Sequence, residues 1–186
     1  RPADLHRGRD GDPAGGGHRV AAADGARRDG ARRGDALDRA VRRGGADPDG
    51  DADRVGAVDE KGNFVDSHRM FALLLKYFVE QKHLKGEVAK SLSVTEMIDK
   101  MCAKYGLILH ETPVGFKYLC LLMVELDILI AGEESGGIGI RGHVPERDGI
   151  LVGLLLCEMM IRRKKSLSAL VQELLEGFAT AHEKKV

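Results

Sequence analysis

Tryptophan is absent from the 186 residues, aromatics make up 4%, and only three cysteines occur. Cys102, Cys120 and Cys157 are odd in number, widely spaced and without a C-x-x-C pair. That excludes a complete disulfide framework and a cysteine zinc site, and reads as small buried hydrophobes in a reduced cytoplasm. Long apolar runs are lacking too. Tyr118 to Ala131 and Ile150 to Ile161 are too short to span a bilayer, and the first carries Glu125 and Asp127. No signal peptide is visible, and the chain begins with Arg1 instead of Met, which predicts a piece of something longer. Net charge is missing as well, with 29 Lys+Arg against 29 Asp+Glu, so there is no whole-chain electrostatic case for nucleic acid or an anionic membrane. The chain is expected to be soluble and cytoplasmic.

These deficits are unevenly spread. Residues 1–46 contain no Lys, Glu, Ser, Thr, Ile or aromatic, and 11 Arg, 10 Gly, 10 Ala and 7 Asp fill 38 of the 46 positions. A segment of this kind cannot bury a core. Its readings are a disordered basic arm, the remnant of a domain, or a translation product of a GC-rich gene read in the wrong frame. Arginines interleaved with Asp and without aromatic partners speak against a nucleic-acid arm. The segment carries a net charge of +4, so residues 47–186 carry −4, and neutrality is a cancellation.

From residue 47 to 186 short β-type runs alternate with helical ones. Arg54–Asp59, Gly86–Ser91, Leu107–Glu111 and Asp127–Ala131 read as strands. Ser67–Gln81 reads as a helix with Met70, Phe71, Leu74, Leu75 and Phe78 on its apolar side. Ser93 and Glu96 have the spacing of a capping box opening a second helix that Gly106 ends. Gly115–Leu126, Arg147–Arg163 and an amphipathic stretch from Leu167 to Phe178 complete the helices. The pattern predicts parallel βαβ units, hence a three-layer α/β/α domain on a mainly parallel four-stranded sheet, preceded by the irregular N-terminal segment. In such a sheet the loops at the carboxyl ends of the strands carry the chemistry.

In D-P-D-G-D-A-D-R, residues 47–54, Asp49, Asp51 and Asp53 recur at every second position. A flat strand would hold alternate side chains about 6.5 Å apart, but the small Gly50 and Ala52 let the loop curl and bring three carboxylates onto one hard cation, most simply magnesium. The same residues also suit a solvated acidic turn. A calcium loop would put Asp49, Asp51, Asp53 and Glu60 in ligand positions, but Arg54 stands where that loop needs glycine.

Directly after the buried D-I-L-I-A run comes A-G-E-E-S-G-G, residues 131–137, where Glu133 and Ser135 fall on one side of an extended loop and suit sugar hydroxyls, or form an exposed polar turn. Gly137 to Gly142 spells G-x-G-x-x-G, but it lies past the strand and is followed by Val144-Pro145, not by a helix, so the nucleotide reading fails. Lys117, in T-P-V-G-F-K, sits in a helix's first turn and can reach toward a phosphate or remain a surface lysine; His143 and Arg147 flank the next helix start and can add to an anion site.

In order, these motifs resemble the α-D-phosphohexomutase superfamily, the phosphoglucomutase and phosphomannomutase enzymes. D-G-D-A-D-R (49–54) looks like its magnesium loop, G-F-K (115–117) its lysine loop, G-E-E-S-G-G (132–137) its sugar loop, and G-H-V-P-E-R-D-G-I (142–150) the segment that follows. The resemblance covers about residues 47–180 and implies a magnesium-dependent isomerase that interconverts hexose 1- and 6-phosphates through a phosphoserine and a bisphosphorylated sugar. It implies that Asp49, Asp51 and Asp53 hold Mg2+, that Glu133 and Ser135 grip sugar hydroxyls, with His143 and Arg147 also against substrate, and that Arg54 and Lys117 steady phosphate or assist proton transfer.

The phosphoserine loop, of the form T-A-S-H-N-P, is absent, and no Ser precedes Ser67. The R-x-S-G-T-E-P phosphate loop is missing too. The expectation is therefore a fragment, residues 47–186 matching the third domain plus the metal loop 47–54, inactive without the remaining domains. Its partners are a hexose phosphate, of glucose or mannose, and those domains. The alternative is a non-catalytic module that binds metal or sugar phosphate.

Overall fold

A computed structural model describes residues 45–178. The low-complexity segment 1–46 lies outside the described residues except for Gly45 and Ala46, which open the first strand.

Two sheets form. In the smaller, β1 (Gly45–Pro48), β2 (Val55–Val58) and β3 (Phe64–Val65) run antiparallel in that order. In the larger, β4 (Glu87–Ser91) is flanked by β5 (Leu109–Thr112) and β6 (Ile128–Gly132), both parallel to it, and β7 (Ile138–Ile140) closes the far edge antiparallel to β6. All five residues of β6 are buried, as a strand covered on both faces requires.

Helix α1 (Ser67–Glu80) starts at Asp66, whose carboxylate accepts the Arg69 N–H at 2.8 Å. Its expected apolar face, Met70, Phe71, Leu74, Leu75 and Phe78, is buried, and so are Ala72, Leu73 and Tyr77. A helix buried nearly all round is a central one: α1 packs against α2 (Met97–Tyr105), α4 (Gly149–Arg163) and α5 (Leu167–Phe178). On the opposite face α3 (Phe116–Glu125) lies on β4 and β6, where Phe116 and Leu119 meet Ala89, Ile128 and Ala131. The domain is thus three-layered, α/β/α, on a mainly parallel four-stranded sheet.

Three local features differ from the sequence reading. The run Arg54–Asp59 forms β2 but joins the small antiparallel sheet, because the tight turns on either side of it return the chain to pair with Gly45–Pro48 and Phe64–Val65. The fourth strand of the main sheet is Ile138–Ile140, inside the Gly-rich stretch. Ile138 is buried, and Gly139 leaves room for Met123, whose sulfur would stand 2.7 Å from a Cβ there. The capping box does not form. Helix α2 begins at Glu96 without a side-chain cap, Thr95 Oγ1 accepts the Met97 N–H at 3.1 Å, and the Ser93 hydroxyl goes to Glu134 instead. Gly106 does end this helix, in the left-handed conformation with φ 66°.

Candidate functional site

The link between β1 and β2 is a curled turn. Asp49 O accepts the Ala52 N–H at 3.0 Å, and Asp49 N–H donates to Arg54 O at 3.1 Å. Asp49 Oδ1 accepts the Arg54 N–H at 3.3 Å, and Ala52 takes a φ of 60° to complete the bend. The curl expected from Gly50 and Ala52 is therefore present. Its three carboxylates do not converge: Asp49 and Asp51 are exposed, and Asp53 turns to Arg147, whose Nε lies 2.7 Å from Asp53 Oδ2. Three aspartates suit a hard divalent cation in kind. In arrangement they do not, since among the described residues no three His, Cys, Asp or Glu side chains are placed to share an ion.

The turn is seated on two neighbours. Gly149, the first residue of α4, donates its N–H to Ala52 O at 2.9 Å, and Arg54 makes an isolated antiparallel bridge to Gly137. That bridge joins it to the loop between β6 and β7.

In this second loop Glu133 N–H donates to Gly137 O at 3.0 Å, closing a tight hairpin. The side-by-side placement of Glu133 and Ser135 is realised: Ser135 Oγ donates to Glu133 Oε1 at 2.7 Å. Glu133 is 6% exposed, a buried carboxylate that requires a cation, and Arg147 Nη1 supplies one at 3.0 Å from the same oxygen. Gly136, at φ 97°, lies where a Cβ would stand 3.2 Å from Val55 O, so the hairpin fits closely over β2.

Glu134 faces the other way, onto hydroxyls at the carboxyl end of β4. Ser93 donates to its Oε2, Ser91 does so at 3.3 Å, and Ser67 Oγ donates to its backbone carbonyl at 2.5 Å. The Ser93 bond, reinforced by Ser91, outweighs burial and holds the Glu134 carboxyl below its ordinary range. None of these serines is read from the sequence as a site residue, Ser93 only as a helix cap; the available signal is Ser91-x-Ser93 at the end of a buried strand.

A cleft of about 520 Å³ opens between this hairpin and the start of α3, lined by Arg54, Lys117 and Arg147 on the cationic side and by Glu133, Ser135 and Glu146 on the other. Gly115, at φ 125°, turns the chain into α3, so that exposed Lys117 reaches the rim, its ammonium 4.9 Å from the Tyr118 ring. Arg54, Lys117, Glu133, Ser135 and Arg147, all singled out in the sequence, thus line one cleft, with Asp53 behind it. His143 stands apart: its Nε2 lies 2.8 Å from Asp148 Oδ2, and it lines a separate cavity of about 400 Å³ beside Arg141 and Leu129. Apolar walls, convergent cations and a buried carboxylate with a neighbouring hydroxyl are what a small, polar, anionic ligand needs.

Residues 66–178 match the family model described as phosphoglucomutase/phosphomannomutase, alpha/beta/alpha domain III. The chain is 38% identical over 130 residues to a phosphoglucosamine mutase of Carboxydothermus hydrogenoformans, covering 68% of this chain and 29% of that protein. It is 35% identical over 122 residues to the phosphoglucosamine mutase of Rubrobacter xylanophilus, covering 66% and 28%. Among solved structures it superposes on a Thermus thermophilus protein assigned as a phosphomannomutase, with TM-score 0.67 and 39% identity over 70% of this chain and 30% of that one. It also superposes on the open form of Paramecium pp63/parafusin, a phosphoglucomutase, with TM-score 0.62 and 29% identity over 74% and 25%. The chain spans less than a third of the length of these proteins. The aspartate turn lies upstream of the matched span, whereas the hairpin, Lys117 and Arg147 lie within it, and the chain belongs to the phosphoglucomutase/phosphomannomutase family.

Proposed function

We propose that these residues form the sugar-recognition and metal-binding part of a magnesium-dependent phosphohexomutase that interconverts the 1- and 6-phosphates of glucose or mannose. The observation that carries this reading is the Ser135–Glu133–Arg147 constellation at the cleft. Glu133 Oε1 takes both donors, leaving its second oxygen for a sugar hydroxyl, while the Ser135 hydroxyl can both donate and accept. A recognition pair that reads hydroxyls and not the phosphate position accepts the sugar in two orientations, which a 1,6-isomerisation demands. Arg54 and Lys117 then steady the phosphate at the rim by charge. Asp49, Asp51 and Asp53 supply the kind of carboxylates that magnesium would require, and they would have to converge, with Asp53 turned from Arg147, to hold it. No loop of the T-A-S-H-N-P form occurs in the 186 residues, so they are expected to bind without turning over.

The test is an amide NMR titration of the chain with glucose 1-phosphate and mannose 1-phosphate, with glucosamine 6-phosphate as a competitor because the relatives named above are phosphoglucosamine mutases. Saturable shifts confined to Glu133–Gly137 and Gly115–Lys117 are expected. Shifts that are absent, or centred on the cavity beside His143, contradict the reading.

A further inference from the structure

The β6–β7 hairpin reverses direction over two residues. Gly136 N–H donates to Glu133 O at 3.3 Å, so Glu133–Gly136 is a β-turn with Glu134 and Ser135 at its centre. Neither central residue takes a positive φ, which excludes the type II form, in which the peptide between them is flipped. The oxygen of that central peptide is the Glu134 carbonyl, and Ser67 Oγ donates to it at 2.5 Å. A hydroxyl at the start of α1 thus holds the peptide against the flip.

The Glu134 side chain is held separately. Its Oε2 accepts the Ser93 hydroxyl and lies 3.3 Å from Ser91 Oγ, which is itself 3.2 Å from Ser93 Oγ. Three contacts share two hydroxyl protons, so Ser93 donates to the carboxylate and Ser91 to either neighbour. Ser91 is fully buried at the end of β4 and Ser67 opens the central helix, so two of these donors stand on packed elements outside the hairpin. The two residues flanking Glu134 differ in support. Glu133 is buried and bonded to Arg147, whereas Ser135 is exposed, so packing does not place its hydroxyl.

We propose that Glu134 is a positioning residue for Ser135: clamped at its carbonyl by Ser67 and at its carboxylate by Ser93, it fixes the central peptide of the turn and so aims the Ser135 hydroxyl at a sugar hydroxyl. This rests on the reading above that Glu133 and Ser135 bind the sugar. Hydrogen bonds weaken steeply with misalignment, so a turn freed from the clamp loses affinity without losing any group that touches the sugar. Glu134 also lines the cleft, but its Oε2 is committed to the serines.

Glucose 1-phosphate and mannose 1-phosphate are titrated calorimetrically into the 186-residue chain as wild type, Glu134→Ala, Ser93→Ala, Ser93→Thr, Ser135→Ala and the double variant Ser93→Ala/Ser135→Ala, with melting curves to confirm folding. Ser93 is exposed, so its truncation leaves the core intact. Ser93→Ala and Glu134→Ala are expected to weaken binding about fivefold, and Ser93→Thr, which keeps the hydroxyl, to stay within about twofold of the wild type. The double variant is expected to bind no more weakly than Ser135→Ala, because a residue that acts through Ser135 has nothing left to position. Unchanged binding by folded Ser93→Ala, a loss in Ser93→Thr equal to that in Ser93→Ala, or losses that multiply in the double variant overturn the positioning role and leave the sugar reading intact. A loss in Glu134→Ala without one in Ser93→Ala assigns Glu134 to ligand contact and overturns it as well. Absence of binding by the folded wild type overturns both. Should Ser93→Ala not fold, Ser67→Ala, which frees the Glu134 carbonyl, takes its place under the same criteria.

Discussion

Gly149 and Ala52 are joined by a backbone hydrogen bond of 2.9 Å, which seats the aspartate turn on the first residue of α4. Gly149 stands so close that a Cβ there would fall 2.3 Å from Arg54 O, a backbone atom that cannot swing aside. The glycine of R-D-G-I is thus a matter of contact distance and not of backbone freedom. Gly149→Ala is expected to cost about 1–3 kcal/mol through overpacking and to lift the turn from the helix. Thermal denaturation measures the first effect and loss of magnesium binding the second, and a variant unchanged in both would show that the turn does not depend on this seat.

Asp51 is exposed and has no role in the turn's own hydrogen bonds, which Asp49 and Arg54 make. Asp51→Asn should therefore leave stability within about 0.5 kcal/mol of the wild type while weakening magnesium binding by about tenfold or more. Calorimetric titration together with a melting curve separates the two. An equal loss of stability would assign Asp51 to the fold and not to a ligand.

Glu60, in the turn between β2 and β3, accepts the Ser168 hydroxyl and, at 3.4 Å, the Ser168 N–H, and so caps α5 from outside that helix. The Ser168 bond holds its carboxyl well below the ordinary 4.5, at about 2. A depressed folded value contributes stability that is fully present above the unfolded value and is lost as pH falls through the folded one. The chain should lose this contribution between about pH 4.5 and pH 2. After screening at a partly exposed site the contribution is about 1 kcal/mol. Glu60→Gln should flatten that part of the stability profile in urea denaturation, and an unchanged slope there would remove Glu60 as its source.

Gly132 ends β6 immediately before Glu133, and a Cβ on it would lie 2.9 Å from the Phe71 ring of the central helix. Gly132→Ala should push Phe71 or the hairpin aside, at about 1–3 kcal/mol, and weaken sugar-phosphate binding along with stability. A parallel Leu74→Ala, a buried residue of the same central helix that is not placed against Gly132, should cost about 2–5 kcal/mol and spare binding by the folded fraction. Equal binding by the two variants would disconnect Gly132 from the site.

What the sequence made legible follows from the range of the interactions. Helix α1, the αL stop at Gly106, the buried D-I-L-I-A strand and the Glu133–Ser135 pair are local patterns, readable within a few residues. Ile138–Ile140 escaped because a three-residue strand containing Gly139 has no periodicity to detect. The capping box at Ser93 failed because a distant carboxylate, Glu134, won the hydroxyl that the local motif would have used. The departure of β2 from the main sheet is likewise a matter of strand pairing, which alternation does not specify. Spacing alone brought three aspartates together, but the partner of Asp53 is Arg147, and a cation from another loop decides where that carboxylate points.

The central claim is that the cleft beside Glu133 recognises a hexose phosphate, and its most direct test is calorimetric titration of glucose 1-phosphate and mannose 1-phosphate into the wild type and Glu133→Gln in the presence of magnesium. Saturable binding of at least one sugar phosphate by the wild type is expected, reduced about tenfold or more in Glu133→Gln with the melting curve still cooperative. Equal affinity in the two proteins, or no binding by the folded wild type, would contradict it.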